Sequence, residues 1–303
     1  MQTPRIHAVI VTYHPGAELD AAIAALMPQI AKLTIIDNGS GPETVERLRI
    51  LTRNPKICVL ANPQNRGLAD AQNQGIAEAL ASGADWVLLL DDDSVPAPDM
   101  LEQMFSAYGL QPYPERISLL APRIHDRQID KTYRVMTGNG WWFSTKAGEQ
   151  PYIYRDDLIF AIASGSLIKS AVFRKIGGMR EAYFIDHIDS EFCARMLKNG
   201  YRLMSVGKAI LHHSLGNSAR VDGIVRKHYP PQRYYTQFRN MLWLVKSCLF
   251  SLPAYAALNL GSGLREMVRL VRYEEQKGPK FRAILCGITH GLWRSPGAAV
   301  KFS

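Results

Sequence analysis

Four short, strongly apolar runs recur along the first third of the chain: IHAVIVTY (Ile6 to Tyr13), KLTIIDN (Lys32 to Asn38), KICVLAN (Lys56 to Asn62) and DWVLLLDDD (Asp85 to Asp93). Each is strand-sized, and each is separated from the next by a stretch of helical spacing, which predicts consecutive βαβ units. Near-continuous apolar strands joined by helices are buried on both faces, so the expected class is α/β with a mostly parallel sheet flanked by helices. Open sheets of this kind bind ligands beyond the carboxyl ends of their strands, and all four runs end there in polar residues. GLADAQNQGIAEALASG (Gly67 to Gly83) predicts a helix that stops at Gly83 and packs an Ala-rich face on the sheet.

Beyond this frame the pattern changes twice. From Pro112 to Tyr154 it breaks into Pro, Gly and aromatic residues, including TGNGWWF, and predicts strands and loops. IFAIASGSLIKSAVFRKIGG restores regularity, DSEFCARMLKNG predicts a helix stopped by Gly200, and YRLMSV a strand. Past about Arg220 the chain turns helical, rich in large apolar and aromatic residues and interrupted by Pro253. At 303 residues there is material for one large α/β domain with an appendage or two modest domains. Cys58, Cys193, Cys248 and Cys286 form no CxxC pair, so neither a disulfide framework nor a zinc knuckle is indicated, and a cytoplasmic setting is expected. The N-terminus lacks the pattern of a signal peptide. A net charge of +9 suits an anionic partner without choosing among nucleic acid, membrane surface and phosphorylated substrate.

The acidic run carries the sharpest chemistry. In an extended segment residues two apart share a face, so Asp91 and Asp93 are expected to converge while Asp92 turns away to support them. Two converging carboxylates suit Mg²⁺ or Mn²⁺, which keep open positions for phosphate oxygens; an acidic turn is the plainer reading of such a run. At neighbouring strand ends Thr12, Tyr13, Asp37 and Asn38 can line the same crevice. Arg66 and Gly67 precede a helix start, where a side-chain charge and backbone N–H groups together can meet phosphate. Taken singly, Asp37 and Asn38 also read as turn residues and Arg66 as a solvated charge. There is no GxGxxG after the first strand and no GxxxxGK[ST], so dinucleotide and P-loop readings lack support.

The ordered set AVIVTYHP, IIDNGS, NPQNRGLADAQNQGI, LLLDDDSVP, ASGSLIKSAVFRKIGGMREAYFIDHIDSEFCARMLKNGYRL and AILHHSLGN, spanning roughly residues 5 to 220, resembles the inverting GT-A glycosyltransferases of family 2. SGSLI, FIDHIDSEF and RYYTQFRN are similar to its bacterial rhamnosyltransferase branch. The resemblance implies a Rossmann-like GT-A domain over 1–220, with a nucleotide-sugar half to about 110 and an acceptor half to about 220. A helical extension follows over 221–303. It implies that Asp37, Thr12, Tyr13 and Asn38 serve the nucleotide, that Arg66 and Gly67 approach the diphosphate, and that Asp91 and Asp92 serve the nucleotide sugar. Asp91 and Asp93 hold the metal with His213, although the adjacent His212 leaves that register open. In HIDSEFCAR the family's Glu-Asp pair falls on Ile188 and Asp189, making Asp189 the general base, with Asp186 as rival. Trp141, Trp142, Ser164 and Gly165 are candidates for the acceptor.

An inverting transfer needs only one carboxylate, to take the acceptor's proton opposite the leaving diphosphate. The implied donor is dTDP-β-L-rhamnose and the implied acceptor a glycan, lipid-linked or free, in O-antigen or related polysaccharide assembly. UDP-galactose, UDP-N-acetylglucosamine or UDP-glucose is the alternative donor, and a non-catalytic glycan-binding protein the alternative class. A nucleotidyltransferase would carry a Gly-rich, Lys-containing loop that is not seen. Between Arg265 and Lys301 eight basic residues stand against three acidic, with Leu264, Met267, Val268 and Val271 at amphipathic spacing. This predicts peripheral attachment to the inner face of a bacterial plasma membrane or, equally, a homodimer interface. Ser247 to Leu264 is uncharged, but its Pro, Asn and Gly make it a poor spanning helix.

Overall fold

The structure, a computed structural model, describes residues 4–127, 129–146, 154–213, 219–221, 224–226, 229–274 and 277–302. Residues 214–217 of the AILHHSLGN motif lie outside this set. The first half runs β1 (Ile6–Thr12), α1 (Glu18–Leu26), β2 (Lys32–Asp37), α2 (Pro42–Leu51), β3 (Ile57–Ala61), α3 (Leu68–Ala81), β4 (Trp86–Asp91), β5 (Ser94–Pro96) and α4 (Met100–Gly109). β6 (Ile117–Asp126), β7 (Lys131–Thr132), β8 (Val135–Gly138), β9 (Phe143–Lys146), β10 (Tyr154–Phe160) and β11 (Leu167–Lys169) follow. Then come α5 (Ser170–Ile176), α6 (Ile188–Lys198), β12 (Arg202–His213), β13 (Ala219–Val221), β14 (Ile224–Arg226), α7 (Pro231–Cys248), α8 (Pro253–Tyr273) and α9 (Lys277–Trp293).

The main sheet is ordered β3-β2-β1-β4-β11-β6-β12-β10-β8-β9. β3, β2, β1 and β4 are parallel, as the βαβ rhythm predicts, while β11 runs antiparallel between β4 and β6. This is the mixed, mostly parallel sheet of a GT-A fold. Alternation places Val9 and Val11 of β1 with Val87 and Leu89 of β4 on one face, against α3, α5 and α6. Ile6, Ala8 and Ile10 join Leu88 and Leu90 on the other, against α1 and α4. The strand expected at YRLMSV continues to His213: its pairing with β6 shifts register between Val206 and Ile210, and the pairing then resumes.

The C-terminal helices are joined to this body. Trp243 of α7 sits in the core beneath the sheet, and its indole N–H donates to the Arg294 carbonyl at 2.9 Å. The last described residues return to the sheet body, where Gly178 N–H donates to Val300 O at 2.8 Å and Phe302 packs on the core. A second ion-paired knot lies nearby. Glu191, 6% exposed, receives Arg180 and Arg195, and the Arg195 guanidinium also donates to the carbonyls of Ile176, Gly177 and Gly178. A buried carboxylate so fully partnered serves the fold.

The close approach of α3 to β1 depends on Gly75, where an added Cβ would stand 2.2 Å from Val9 Cγ1. Gly75→Val is expected to lower stability by about 1–3 kcal/mol through overpacking, despite the better helix propensity of a residue with a side chain. A fall in the denaturant midpoint at unchanged m-value checks it.

Candidate active site

The carboxyl edge of the sheet gathers the chemistry. β4 ends at Asp91, and Asp92 and Asp93 form a tight turn into β5, which reverses to pair with β12 in the register Ser94↔His213. Asp91 and Asp93 therefore converge across a turn, correcting the expectation that extended alternation would align them. The same register brings in His213 from the far end of the chain. One donor atom from each of Asp91, Asp93 and His213 lies within 4.8 Å of the others. His213 Nδ1 is 3.0 Å from Asp93 Oδ1, and Nε2 is 3.9 Å from Asp91 Oδ2. Strand alternation settles the register between the two histidines, since His212 faces the His125 ring on the opposite side.

Two carboxylates and an imidazole suit a divalent cation. Burial holds the Asp91 carboxyl well above the usual range; His213 opposes this, while Asp93, Asp189 and Asp92 add to it. Burial lowers the His213 pKa, but the Asp93 hydrogen bond and the charges of Asp93 and Asp91 outweigh it, so the net direction is up. Asp92 faces away, accepting from the Tyr13 backbone N–H at 3.3 Å, and burial pushes it up to about 6.

Asp189 stands in the first turn of α6. It accepts a hydrogen bond from the backbone N–H of Ala163, and it feels the charge of His213 as Asp91 feels its own. Burial raises its carboxyl to about 6, the Ala163 bond acting against this and the Asp186 charge with it. Asp186 itself is engaged by Arg233 of α7, at 3.3 Å from Nε and 3.1 Å from Nη2, so the rival carboxylate is neutralised. Glu191 is spent on its two arginines. Asp189 is thus the carboxylate of this stretch whose charge acts on Asp91 of the cluster.

Several other expected contacts turn inward. Thr12 is fully buried, and its hydroxyl donates to Asp37 Oδ1 at 3.2 Å. Asp37 is also fully buried and accepts the Ser40 backbone N–H at 3.0 Å, the plainer turn role. Asn38 bonds Asn62, Asn65 and the Arg66 backbone, fixing the loop that precedes α3. Tyr13 and Arg66 do face solvent; Arg66 is paired with Asp70 at 2.9 Å and stands at the start of α3. Gly67, at φ +91°, lets α3 approach Phe184, whose carbonyl receives Leu68 N–H at 2.7 Å.

The residues expected at the acceptor also need correction. Ser164 is buried; its hydroxyl accepts from Asp91 N–H at 3.1 Å and lies 2.7 Å from Ser94 Oγ. Gly165, at φ +83°, is packed against Pro122 and Leu211. Both support the site from beneath. Trp141 and Trp142 are exposed on the β8–β9 turn. The neighbouring Gly138–Gly140 shares a cleft with Leu197 and Tyr201, at the far end of α6 and about 12 Å along the helix from Asp189. A cavity of about 190 Å³ adjoins the site instead, lined by Ile124, Tyr133, Arg134, Met136, Phe160 and Ile162 among others. Ser94, which links Ser164 to His213 Nδ1 at 2.7 Å, went unmarked in the sequence because a serine after an acidic turn carries no distinguishing signal.

Over 246 residues, 80% of each chain, the protein is 29% identical to the dTDP-rhamnosyl transferase RfbF of Shigella flexneri. It is 27% identical over 249 residues, 72% of this chain and 79% of the other, to the N-acetylglucosaminyl-diphospho-decaprenol L-rhamnosyltransferase of Mycobacterium tuberculosis. Among solved structures, S. aureus TarS 1–349 superposes with a TM-score of 0.63 at 11% identity, covering 95% of this chain and 81% of that one. GalNAc-T7 with UDP, GalNAc and Mn²⁺ gives 0.60 at 15% identity, over 80% of this chain and 48% of that one. Residues 8–177 match the family described as Glycosyl transferase family 2, more than half of the chain, and the protein is therefore a transferase enzyme belonging to that family.

Proposed function

We propose that this enzyme transfers L-rhamnose from dTDP-β-L-rhamnose to a glycan acceptor by a single inverting displacement, with Asp189 as general base. The observation that carries the reading is the convergence of Asp91, Asp93 and His213 in a cation-type cluster at one sheet edge of a family 2 chain, with Asp189 bonded to Ala163, the neighbour of the Ser164 that supports Asp91. A cation bound there, Mg²⁺ or Mn²⁺, would neutralise the departing diphosphate. Tyr13 and Arg66 line the donor side, while Thr12, Asp37, Asn38 and Gly67 shape it. Asp189 takes the proton of the attacking hydroxyl, which requires the carboxylate form. The rhamnosyltransferase relatives favour the dTDP-rhamnose donor and a lipid-linked acceptor.

We place this activity at the inner face of a bacterial membrane. Among the described residues no helix is long and apolar enough to cross one. α8 exposes Leu260, Leu264, Val268 and Val271 on one face beside Arg265 and Arg272, and α9 exposes Leu285, Leu292 and Trp293 beside Arg282. Apolar stripes with a basic flank fit an anionic lipid surface. Flotation with vesicles containing phosphatidylglycerol is expected to carry the full chain and to lose the Leu264→Glu/Val268→Glu double variant. Equal flotation of both would refute membrane attachment.

A donor panel with purified enzyme is expected to single out dTDP-rhamnose and to show transfer abolished by EDTA and restored by Mn²⁺. Asp189→Asn is expected to reduce kcat by at least about 10³-fold, and kcat of the native enzyme to fall as pH drops through about 6, where Asp189 becomes protonated. The same shift fixes a stability change. A carboxyl raised from 3.8 to about 6 binds its proton more tightly when folded, so its contribution is full below pH 4 and is lost as pH rises through 6. Asp189→Asn should therefore be more stable than the native chain at pH 8, by about 2–3 kcal/mol, with the difference shrinking towards pH 4.5 in denaturant unfolding. Full transfer by Asp189→Asn would refute the base assignment.

A further inference from the structure

The loop that delivers Asp189 is held in a backbone conformation that residues with side chains avoid. φ is +62° at Phe184, +65° at Asp186 and +60° at His187. Such angles persist only where the surroundings over-determine them. The surroundings come from the segment RYYTQFRN at the start of α7. Asn240, fully buried, donates its side-chain amide to the carbonyls of Tyr183 at 2.8 Å, Ile185 at 2.8 Å and Asp186 at 3.0 Å. Its own oxygen accepts from Arg239 Nε at 3.0 Å and Nη2 at 2.9 Å, which sets the amide orientation. Arg239 also donates to Ala182 O at 2.8 Å and lies over the Trp243 ring. Arg233 fixes the Asp186 carboxylate. α8 closes the far side, with Asn259 hydrogen-bonded to His187 and the Tyr255 hydroxyl donating to Ser190 O at 3.0 Å.

The geometry points to Asn240, oriented by Arg239, as the positioning residue that fixes the Tyr183–His187 loop and so aims Asp189. This rests on the reading of Asp189 as the base. The positive φ angles at Phe184, Asp186 and His187 each follow one of the three carbonyls, those of Tyr183, Ile185 and Asp186, that the single amide collects. Without that amide, buried carbonyls lose their donors and the loop has less strained conformations to adopt. The cluster of Asp91, Asp93 and His213 is held by β4, β5 and β12, so α7 governs proton removal while the sheet edge governs the cation and diphosphate site.

Asn240→Asp keeps the side-chain shape but replaces the donors with acceptors. Its kcat is expected to fall about 100-fold, the cost of misplacing a reacting group by roughly 1 Å. The KM for the donor should stay within about threefold, and Mn²⁺-dependent binding of dTDP by calorimetry should match the native enzyme. Arg239→Lys, which keeps the charge but loses the planar fork, is expected to lose about 10-fold in kcat with the same unchanged dTDP binding. Native kcat in Asn240→Asp beside an inactive Asp189→Asn would overturn the positioning role alone. Full transfer by Asp189→Asn would overturn both it and the base assignment. Loss of dTDP binding in both α7 variants would make the segment a general structural support and likewise overturn the inference.

Discussion

The backbone N–H of Ala163 donates to the Asp189 carboxylate, and one residue later the Ser164 hydroxyl accepts the N–H of Asp91. The N–H of Gly165, a residue at left-handed φ with no room for a Cβ beside Pro122 and Leu211, then donates back to Leu89 O. Across this short link two groups of like charge are held near one another. Burial, helped by the charges of Asp93, Asp189 and Asp92 and opposed by His213, raises Asp91, while burial and the Asp186 charge bring Asp189 to about 6, ionised at neutral pH yet more basic than a solvated aspartate. A general base works best when its pKa lies near the working pH, so the burial that raises Asp189 suits the proposed proton transfer.

The C-terminal helices take part in the same economy of charge. Arg233 removes the Asp186 carboxylate from competition, and Asn240 and Arg239 hold the strained loop between it and Tyr183. The apolar stripes of α8 and α9 face outward from these contacts. If that surface rests on lipid, as proposed, α8, which meets the membrane, also holds the Asp189 segment through the Tyr255 hydroxyl on Ser190 O. A lipid-linked acceptor would then approach from the side on which its proton is taken.

Much of the fold was legible because apolar runs of strand length, separated by helical spacing, leave little choice but a parallel sheet. The first four strands and α3 appear where the periodicity places them, and the acidic run lies at the predicted edge. The reason given for the pairing of Asp91 with Asp93 was wrong, because two residues of that run form a turn and the convergence depends on β5 folding back. His213 reaches the cluster through the register Ser94↔His213, a pairing across more than a hundred residues that local pattern does not encode. The inward turn of Thr12, Asp37, Asn38 and Ser164 was hidden for a related reason. A polar residue at a strand end reads alike whether it meets a ligand or a neighbour, and their partners come from other strands and loops. RYYTQFRN showed a resemblance without a role, since the carbonyls that Asn240 binds lie some fifty residues earlier in the chain.

A lone base opposite a departing diphosphate permits one displacement, which inverts the anomeric centre. The anomeric configuration of the glycoside formed from dTDP-β-L-rhamnose, assigned by NMR, tests this most directly. An α-linked rhamnosyl product is the predicted result; a β-linked product, retaining the donor's configuration, would contradict the single-base displacement at Asp189.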